Sequence, residues 1–463
     1  MKNAELVETI MDGLRDEVES FVSSMPLEAE GFDAIEEASR QFARACGAVG
    51  FKAVLNRVLE AERFGYVGES VSTAEGGLAL FERYEARWVN THLGRFRLRR
   101  AYYWDAGNGT GRIPLDDKWG LDEREPSPSL RRSIGMVGAS SPFSQGRKLM
   151  KQLALLDLPE KRLQESSEAL GDKIRQAAEE AATRAEPMLG DPKVGLPEVS
   201  SDERRGTLYI QMDGGRLNTT TEGWREPKVA TVYWADDVVK VSKGRREVLK
   251  KEYVATLGNA DDLARRVWEL ACRWKWWSAL HVVVLGDGAE WIWNRAKELF
   301  PEAVQILDLF HVEEHIWDVA RKMYGGRGPQ KDKDARNVIK LSAKDIKSGK
   351  WARARIEELK RGDIDAIIAN LHQRRPRRQE VKDAVDELIG YLEGNRCRMN
   401  YPTYVEKGFI VGSGSIESGV KNVVNQRMKG CGMRWAVDRA ENMLNLRAAY
   451  LSDVGPAAQL LAA

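Results

Sequence analysis

The chain of 463 residues has few cysteines, almost no net charge and no long apolar run. Its four cysteines are scattered without a Cys-x-x-Cys pair, which argues against a disulfide framework or a cysteine zinc site and favours a reducing cytosol. No run of about 18 apolar residues is present, so no membrane span is expected. The first residues carry acids and no apolar core, so no signal peptide is expected. Together these features predict a cytoplasmic protein of several domains.

Charge is balanced overall but unevenly placed. The net charge of +2 comes from 72 basic and 70 acidic side chains, which does not by itself indicate a polyanionic partner. However, charged residues in 1–40 are mostly acidic, whereas Arg95, Arg97, Arg99 and Arg100 form a basic cluster. Such a cluster is typical of a surface that meets nucleic acid, and an ordinary solvated surface is the alternative.

Hydrophobic periodicity divides the chain into seven segments. One of them, 143–185, reads as two helices joined at the sequence LDLP, which fits a DNA-binding helix-turn-helix, with an ordinary helical hairpin as the alternative. The others are a helical region (1–66), a small strand and loop module (67–142), a linker (186–204), the first part of a catalytic core (205–327), an all-helical insertion (328–395), and the last part of that core with C-terminal helices (396–463).

Along 205–327 the hydrophobic pattern switches between the two-residue period of strands and the 3.6-residue period of helices. Three strands followed by alternating helices and strands predict an α/β layer with a mixed sheet. This is the element order of a ribonuclease-H-like fold, so the expected fold class is multidomain α/β with a ribonuclease-H-like mixed sheet. Strand candidates are 207–213, 228–235, 248–257, 281–286 and 303–307, and helix candidates are 260–279, 289–300 and 311–324.

Three acidic residues stand out by their context. Asp213 follows a strand and precedes two glycines, and Asp287 follows the most apolar strand and precedes a glycine and a helix. Both carboxylates are expected at the carboxyl ends of strands, where ligands gather in open α/β sheets. Glu417 lies in GSGSIESG, where glycines allow another chain to come close. An aspartate after a strand is often only a turn or a helix cap, so the set of three is more informative than any one.

Converging carboxylates repel each other unless cations or protons neutralise them. Oxygen ligands select Mg²⁺ or Mn²⁺ over Zn²⁺, and a pair of such ions suits in-line displacement at phosphorus. The residues therefore predict a magnesium or manganese site at Asp213, Asp287 and Glu417. No zinc is expected.

Asp308 and His311 follow the next strand, in ILDLFH. They are able to bind a metal or to hold each other as a structural latch, and we favour the latch. His315 lies one helical turn beyond His311, but the carboxylate spacing of zinc proteases is missing. The segment from Gly414 to Lys421 is a near miss to a phosphate-binding loop, so no nucleotide cofactor is expected.

The sequence resembles bacterial insertion-sequence transposases of the DDE type, close to the ISKra group and more distantly the Mutator-like superfamily. The resembling stretches are QMDGGRL, then HVVVLGDGAEWIWNRAKELFPEAVQILDLFHVEEHIW, and then GSGSIESGVKNVVNQRMKGCGMRWAVDRAENMLNLRAAY. By this resemblance Asp213, Asp287 and Glu417 match the catalytic and metal-binding acids. Asp308 and His311 match a signature that lies between the second and third acids.

The resemblance also implies partners, and it shows where this chain departs from its relatives at a metal site. Relatives often carry a cysteine zinc knuckle after the strands at 84–104, but here Asp105 and Asn108 stand where cysteines are expected. The implied partners are double-stranded DNA, both terminal repeats and target, and a second copy of the chain in a homodimer. The candidate DNA-binding residues are Arg95, Arg97, Arg99, Arg100, Lys421, Arg427 and Lys429.

The expected function is metal-dependent DNA cleavage and strand transfer at the ends of an insertion sequence. One alternative is a DNA-binding protein that descends from a transposase and no longer catalyses, which the altered knuckle positions favour. Another is a ribonuclease-H-like nuclease without strand transfer. An assay that detects joined products separates this nuclease from a transposase.

Overall fold

The protein is described by a computed structural model as two compact units. The described residues are 3–24, 31–73, 76–122, 126–186, 198–200, 203–242, 245–325, 343–374, 376–412 and 414–462. Most of the predicted linker at 186–204 lies outside them. The boundary between the units falls between residues 170 and 171, upstream of that linker.

The first unit comprises residues 1–170 and 460–463. Its strands form one antiparallel sheet in chain order: β1 (Ser70–Ser72), β2 (Leu78–Thr91), β3 (Gly94–Asp105) and β4 (Thr110–Arg112). Its helices are α1 (Asn3–Ser24), α2 (Phe32–Ala61), α3 (Pro114–Trp119), α4 (Pro128–Ser140), α5 (Phe143–Ala154) and the first part of α6 (Glu160–Ala185).

Strands β2 and β3 form a long hairpin with two unlike faces. Because side chains alternate along a strand, Phe96 and Leu98 are buried on one face, together with Val89 of β2. These residues pack against Ala48 and Leu55 of α2. The alternation therefore leaves the intervening residues of β3 on the opposite, exposed face.

Residues 128–140 form a helix, so the prediction of only strands and loops over 67–142 is wrong there. The side chain of Ser127 accepts a hydrogen bond from the Leu130 amide and caps the helix. Leu130 is fully buried, and a Cβ atom at Gly138 would collide with Ser167 of α6. The glycines that predicted a loop are instead used for close packing between helices.

The turn between β3 and β4 is closed by hydrogen bonds that the carboxylate of Asp105, which is 3% exposed, accepts. Its Oδ1 accepts from the amides of Gly107 and Asn108, at 2.9 and 3.3 Å. Its Oδ2 accepts from the Asn108 side-chain amide at 2.9 Å and from the Thr73 hydroxyl at 3.4 Å. The two residues at the expected cysteine positions thus bind each other directly.

The second unit comprises residues 171–459. Its strands are β5 (Arg205–Gly214), β6 (Leu217–Thr219), β7 (Gly223–Arg225), β8 (Lys228–Trp234), β9 (Val238–Ser242), β10 (Arg245–Val248), β11 (Glu252–Thr256), β12 (Ala279–Gly286) and β13 (Val304–Leu307). Its helices after α6 are α7 (Ala260–Arg273), α8 (Glu290–Leu299), α9 (Leu309–Tyr324), α10 (Ala343–Lys360), α11 (Ile364–His372), α12 (Gln379–Gly394), α13 (Tyr401–Glu406), α14 (Gly414–Val420), α15 (Gln426–Met428), α16 (Val437–Leu451) and the first part of α17 (Pro456–Ala462).

The centre of this unit is a five-stranded sheet in the order β11-β8-β5-β12-β13. Strand β8 is antiparallel to β5 and β11, whereas β12 is parallel to β5 and β13. The predicted mixed sheet is therefore confirmed. The hairpins β6–β7 and β9–β10 were not predicted, because their strands of three to five residues are too short for an alternation pattern.

Helices surround this sheet and share its apolar core. Buried residues of α7, α8 and α9 join those of β5, β8 and β12 in one cluster, which extends into α10, α11 and α12. Residues 328–342 and 375 of the predicted insertion lie outside the described residues, and most of its remainder forms these last three helices. No helix in the described part of the chain is long and apolar enough to cross a membrane.

Candidate functional site

Three aspartates line up at the carboxyl edge of the parallel part of the sheet. The last paired residues of β5 and β12 each lie two positions before an aspartate, Asp213 and Asp287. The last paired residues of β12 and β13 each lie one position before Asp287 and Asp308. Residues opposite each other on neighbouring strands point to the same face, about 4.8 Å apart along the sheet. Continuing the register therefore places the three carboxylates in one row.

Asp213 is half-buried in this row, and its Oδ1 accepts a hydrogen bond of 2.7 Å from the Gly214 amide. Burial and then Asp287 raise the pKa of Asp213 to about 7, against this hydrogen bond; Glu417 and Asp308 raise it further by smaller amounts. Within the described residues neither Asp213 nor Asp287 forms an ion pair. Asp213 and Asp287 thus bring negative charge together without a basic partner among the described side chains.

Glu417 reaches this region from α14, which a hydrogen bond fixes to the sheet. The Gln211 side-chain oxygen, two residues before Asp213 on the same face of β5, accepts from the Ile416 amide at 3.0 Å. Ile416 is 1% exposed, whereas Glu417 is exposed. The start of α14 is therefore anchored to β5, and the exposed Glu417 is near enough to Asp213 to raise its pKa.

Asp308 is 1% exposed and caps α9 by accepting a hydrogen bond of 2.9 Å from the Phe310 amide. One turn into α9, the ring centroids of His311 and His315 are 4.8 Å apart. Burial, with a smaller effect of His311, lowers the pKa of His315 despite the nearby Asp287 carboxylate. Asp308 is thus placed as a helix cap at the edge of the site, and the latch between Asp308 and His311 stays a prediction.

The donor set fits a hard divalent cation in its chemistry. Carboxylate oxygens are the ligands that Mg²⁺ and Mn²⁺ prefer, and a cation would relieve the repulsion from Asp287 that adds to burial in raising the pKa of Asp213. Over the described ranges, however, no three histidine, cysteine, aspartate or glutamate side chains lie close enough to hold one ion together.

The basic residues predicted to contact DNA fall into two groups, exposed and buried. The exposed residues are Arg95, Arg97, Arg99, Lys421 and Lys429, and the buried ones are Arg100 and Arg427.

The two buried arginines face the protein interior. Arg100 donates to Glu85 at 2.7 Å and also binds Asp116. Arg427 lies over the Trp435 ring, 5.4 Å from its centroid, and burial lowers its pKa to about 10. Both side chains therefore take part in packing or ion pairs, away from the exposed surface.

Sequence reasoning missed the side chains that hold the strand ends. The hydroxyls of Tyr391 and Tyr401 donate to the carbonyl oxygens of Asp287 and Leu307, at 2.8 and 3.1 Å. Both tyrosines come from helices about a hundred residues away in sequence. No local pattern of the sequence predicts these contacts.

The described site lies within a region that matches a known family. Residues 78–457 match the family described as uncharacterised protein family UPF0236. No curated protein matches the chain. Since the match spans well over half of the sequence and includes Asp213, Asp287 and Glu417, the chain belongs to the uncharacterised protein family UPF0236.

Proposed function

We propose that the protein is a DDE-type transposase that cleaves DNA and transfers strands at the ends of an insertion sequence. The observation that carries the proposal is the alignment of Asp213 with Asp287 at the sheet edge, with Glu417 near enough to raise the pKa of Asp213. The strand order β11-β8-β5-β12-β13 is the order expected of a ribonuclease-H-like fold and supports the same conclusion.

In this mechanism Asp213, Asp287 and Glu417 would hold divalent cations, Asp213 and Asp287 from neighbouring strands and Glu417 from α14. Bound Mg²⁺ or Mn²⁺ would activate the attacking oxygen and stabilise the leaving one. A bound cation would also favour the ionised form of Asp213, whose pKa burial and Asp287 raise to about 7.

DNA would be held by the exposed arginines of β3, Arg95, Arg97 and Arg99. They recur at every second residue, so their Cα atoms are about 6.8 Å apart, or two nucleotide rises along a DNA strand. Arg95 lies over the Trp88 ring and Arg99 over the Tyr84 ring, at 5.1 and 4.5 Å from the centroids. These stacked guanidinium groups are preorganised to meet phosphates or base edges.

Helices α5 and α6 are the proposed helix-turn-helix, joined by residues 155–159. Lys421 and Lys429 flank the segment after α14 and are exposed near Glu417 in sequence. Joining two element ends requires two active sites, so a homodimer on duplex DNA in the cytosol is the expected working form.

The test is cleavage of labelled terminal-repeat DNA by purified protein, with and without Mg²⁺. Asp287→Asn removes one carboxylate charge and is expected to abolish cleavage while leaving DNA binding largely intact. Cleavage by this variant at the wild-type rate would disprove the role of Asp287. Joined products in the wild-type reaction distinguish a transposase from a nuclease that only nicks.

A second candidate is a DNA-binding protein derived from a transposase that no longer catalyses. The observation in its favour is that Asp105 and Asn108, hydrogen-bonded to each other, stand at the expected cysteine positions of the zinc knuckle. It predicts tight DNA binding and no cleavage in Mg²⁺ or Mn²⁺. Flanking inverted repeats with a target duplication would argue against it.

A further inference from the structure

The two aspartates at the centre of the site are held differently by the sheet. Asp213 lies inside β5 and pairs with Val229 of β8. Asp287 lies one residue beyond the end of β12, past its last paired residues. The sheet ladder thus fixes the backbone of Asp213, whereas Asp287 lies outside the ladder. Its Oδ1 accepts a hydrogen bond of 3.0 Å from the Ala289 amide, and its carbonyl oxygen has a further support.

That support comes from helix α12 of the insertion. The Tyr391 hydroxyl donates to the carbonyl oxygen of Asp287 at 2.8 Å. Its ring also covers the next residue, Gly288, where φ is +106° and an added Cβ atom would come within 2.7 Å of the ring. Tyr391 therefore contacts both the peptide that carries the acid and the turn that follows it.

Tyr391 is itself held in place from the other side. Its ring centroid is 4.5 Å from that of His315 in α9, the helix that begins directly after Asp308. The ring is thus packed between the turn after β12 and helix α9.

We propose that Tyr391 is a positioning residue through which the helical insertion fixes Asp287 relative to Asp213, and so sets the affinity of the site for a divalent cation. The inference rests on the proposed function. Partners of metal ligands act in this way because they limit the orientations of the ligand, and removing one typically costs about 10–100-fold in metal affinity or activity.

Tyr404 provides a matched control. Its hydroxyl also donates to a strand carbonyl, that of Gln305 at 3.4 Å, and to the carbonyl of Cys397 at 3.3 Å. Gln305 lies within β13, three residues before Asp308, so this bond supports the sheet away from the acids. Tyr404→Phe therefore removes the same kind of contact without reaching the site.

The experiment measures Mn²⁺ binding by titration calorimetry on the full chain, together with melting temperature, DNA affinity and cleavage. Tyr391→Phe is expected to weaken Mn²⁺ binding about tenfold and to lower the cleavage rate, with DNA affinity unchanged. Tyr404→Phe is expected to bind Mn²⁺ like the wild type. If Tyr391→Phe melts earlier than the control, Mn²⁺ binding by all three proteins is compared at a temperature where each of them is folded.

The outcomes separate this inference from the proposed function. Wild-type Mn²⁺ affinity in a folded Tyr391→Phe variant that cleaves normally overturns the positioning role and leaves the proposed function intact. Equal losses in Tyr391→Phe and Tyr404→Phe overturn it as well, since the effect is then general to the sheet. A wild-type protein that binds no Mn²⁺ and cleaves no DNA overturns both.

Discussion

The sheet edge of the second unit and the β2–β3 hairpin of the first both concentrate charge of one sign, but they balance it differently. At the edge, Asp213 and Asp287 are crowded and form no ion pair with any described residue. On the hairpin, the inward Arg100 binds two carboxylates, whereas the outward Arg95 and Arg99 lie on aromatic rings. A charged side chain that forms an ion pair within the chain stabilises the fold. A charged side chain without such a pair is available to a ligand of opposite sign.

The largest expected effect is at the sheet edge. Asp213→Asn keeps the shape of the side chain but removes a carboxylate charge, so metal-dependent DNA cleavage should fall by about a thousandfold or more, as when a transition-state stabilising group is lost. Single-turnover cleavage of terminal-repeat DNA measures it. Cleavage within a factor of ten of the wild-type rate would show that Asp213 is not part of the site.

Arg100→Gln tests the contribution of a charged side chain that is paired within the protein. Arg100 is 3% exposed, and its loss leaves Glu85 and Asp116 without their shared partner. Breaking a buried pair in this way should lower the free energy of unfolding by about 3–5 kcal/mol, as urea denaturation would measure. Arg83→Gln, which breaks an exposed pair with Glu82, should change it by less than about 1 kcal/mol.

Unlike Arg100, the outward arginines should affect DNA binding rather than stability. Replacing Arg95, Arg97 and Arg99 together with glutamine should weaken duplex DNA binding about a hundredfold and reduce the salt dependence by about one unit of slope for each arginine. The unfolding free energy should change little. Arg83→Gln on the same hairpin is the control, because Glu82 already neutralises that charge. An unchanged salt slope in the triple variant would place the DNA elsewhere.

The smallest effect is the pH dependence of stability in metal-free protein. The pKa of Asp213 is about 7 in the folded state against 3.8 ordinarily, so between these values the folded state binds a proton that the unfolded state lacks. The contribution of Asp213 to stability is therefore fully present at low pH and is lost as the pH rises, by about 2 kcal/mol between pH 5 and 7. Asp213→Asn should remove this contribution, and saturating Mn²⁺ should reduce it. Urea denaturation at each pH measures both.

Local signals explain what the sequence predicted of the site. Asp213 and Asp287 each follow an apolar strand and precede glycine, a pattern read within a few residues. The mixed sheet followed from the same alternation of strands and helices. The sequence does not predict the hydrogen bond from Tyr391 to Asp287, because the two residues lie about a hundred positions apart and Tyr391 belongs to a helical insertion.

Two other errors have physical reasons. The sequence predicts a loop where helix α4 lies, because glycines such as Gly138 usually favour turns. Here Gly138 instead allows close packing between two helices. Arg100 was grouped with its exposed neighbours because they are consecutive in the chain. Period-two alternation separates Arg99 from Arg100 on opposite faces of β3, and that signal was available in the sequence.

The hydrogen-bonded turn at Asp105 affects how the hairpin responds to metal supply and redox state. A knuckle built from thiolates loses its shape when zinc is scarce or when oxidants modify the sulfur atoms. Here a carboxylate and an amide hold the turn next to the hairpin, and neither depends on metal supply or redox state. The arginine-bearing hairpin should therefore keep its form in zinc-starved or oxidatively stressed cells.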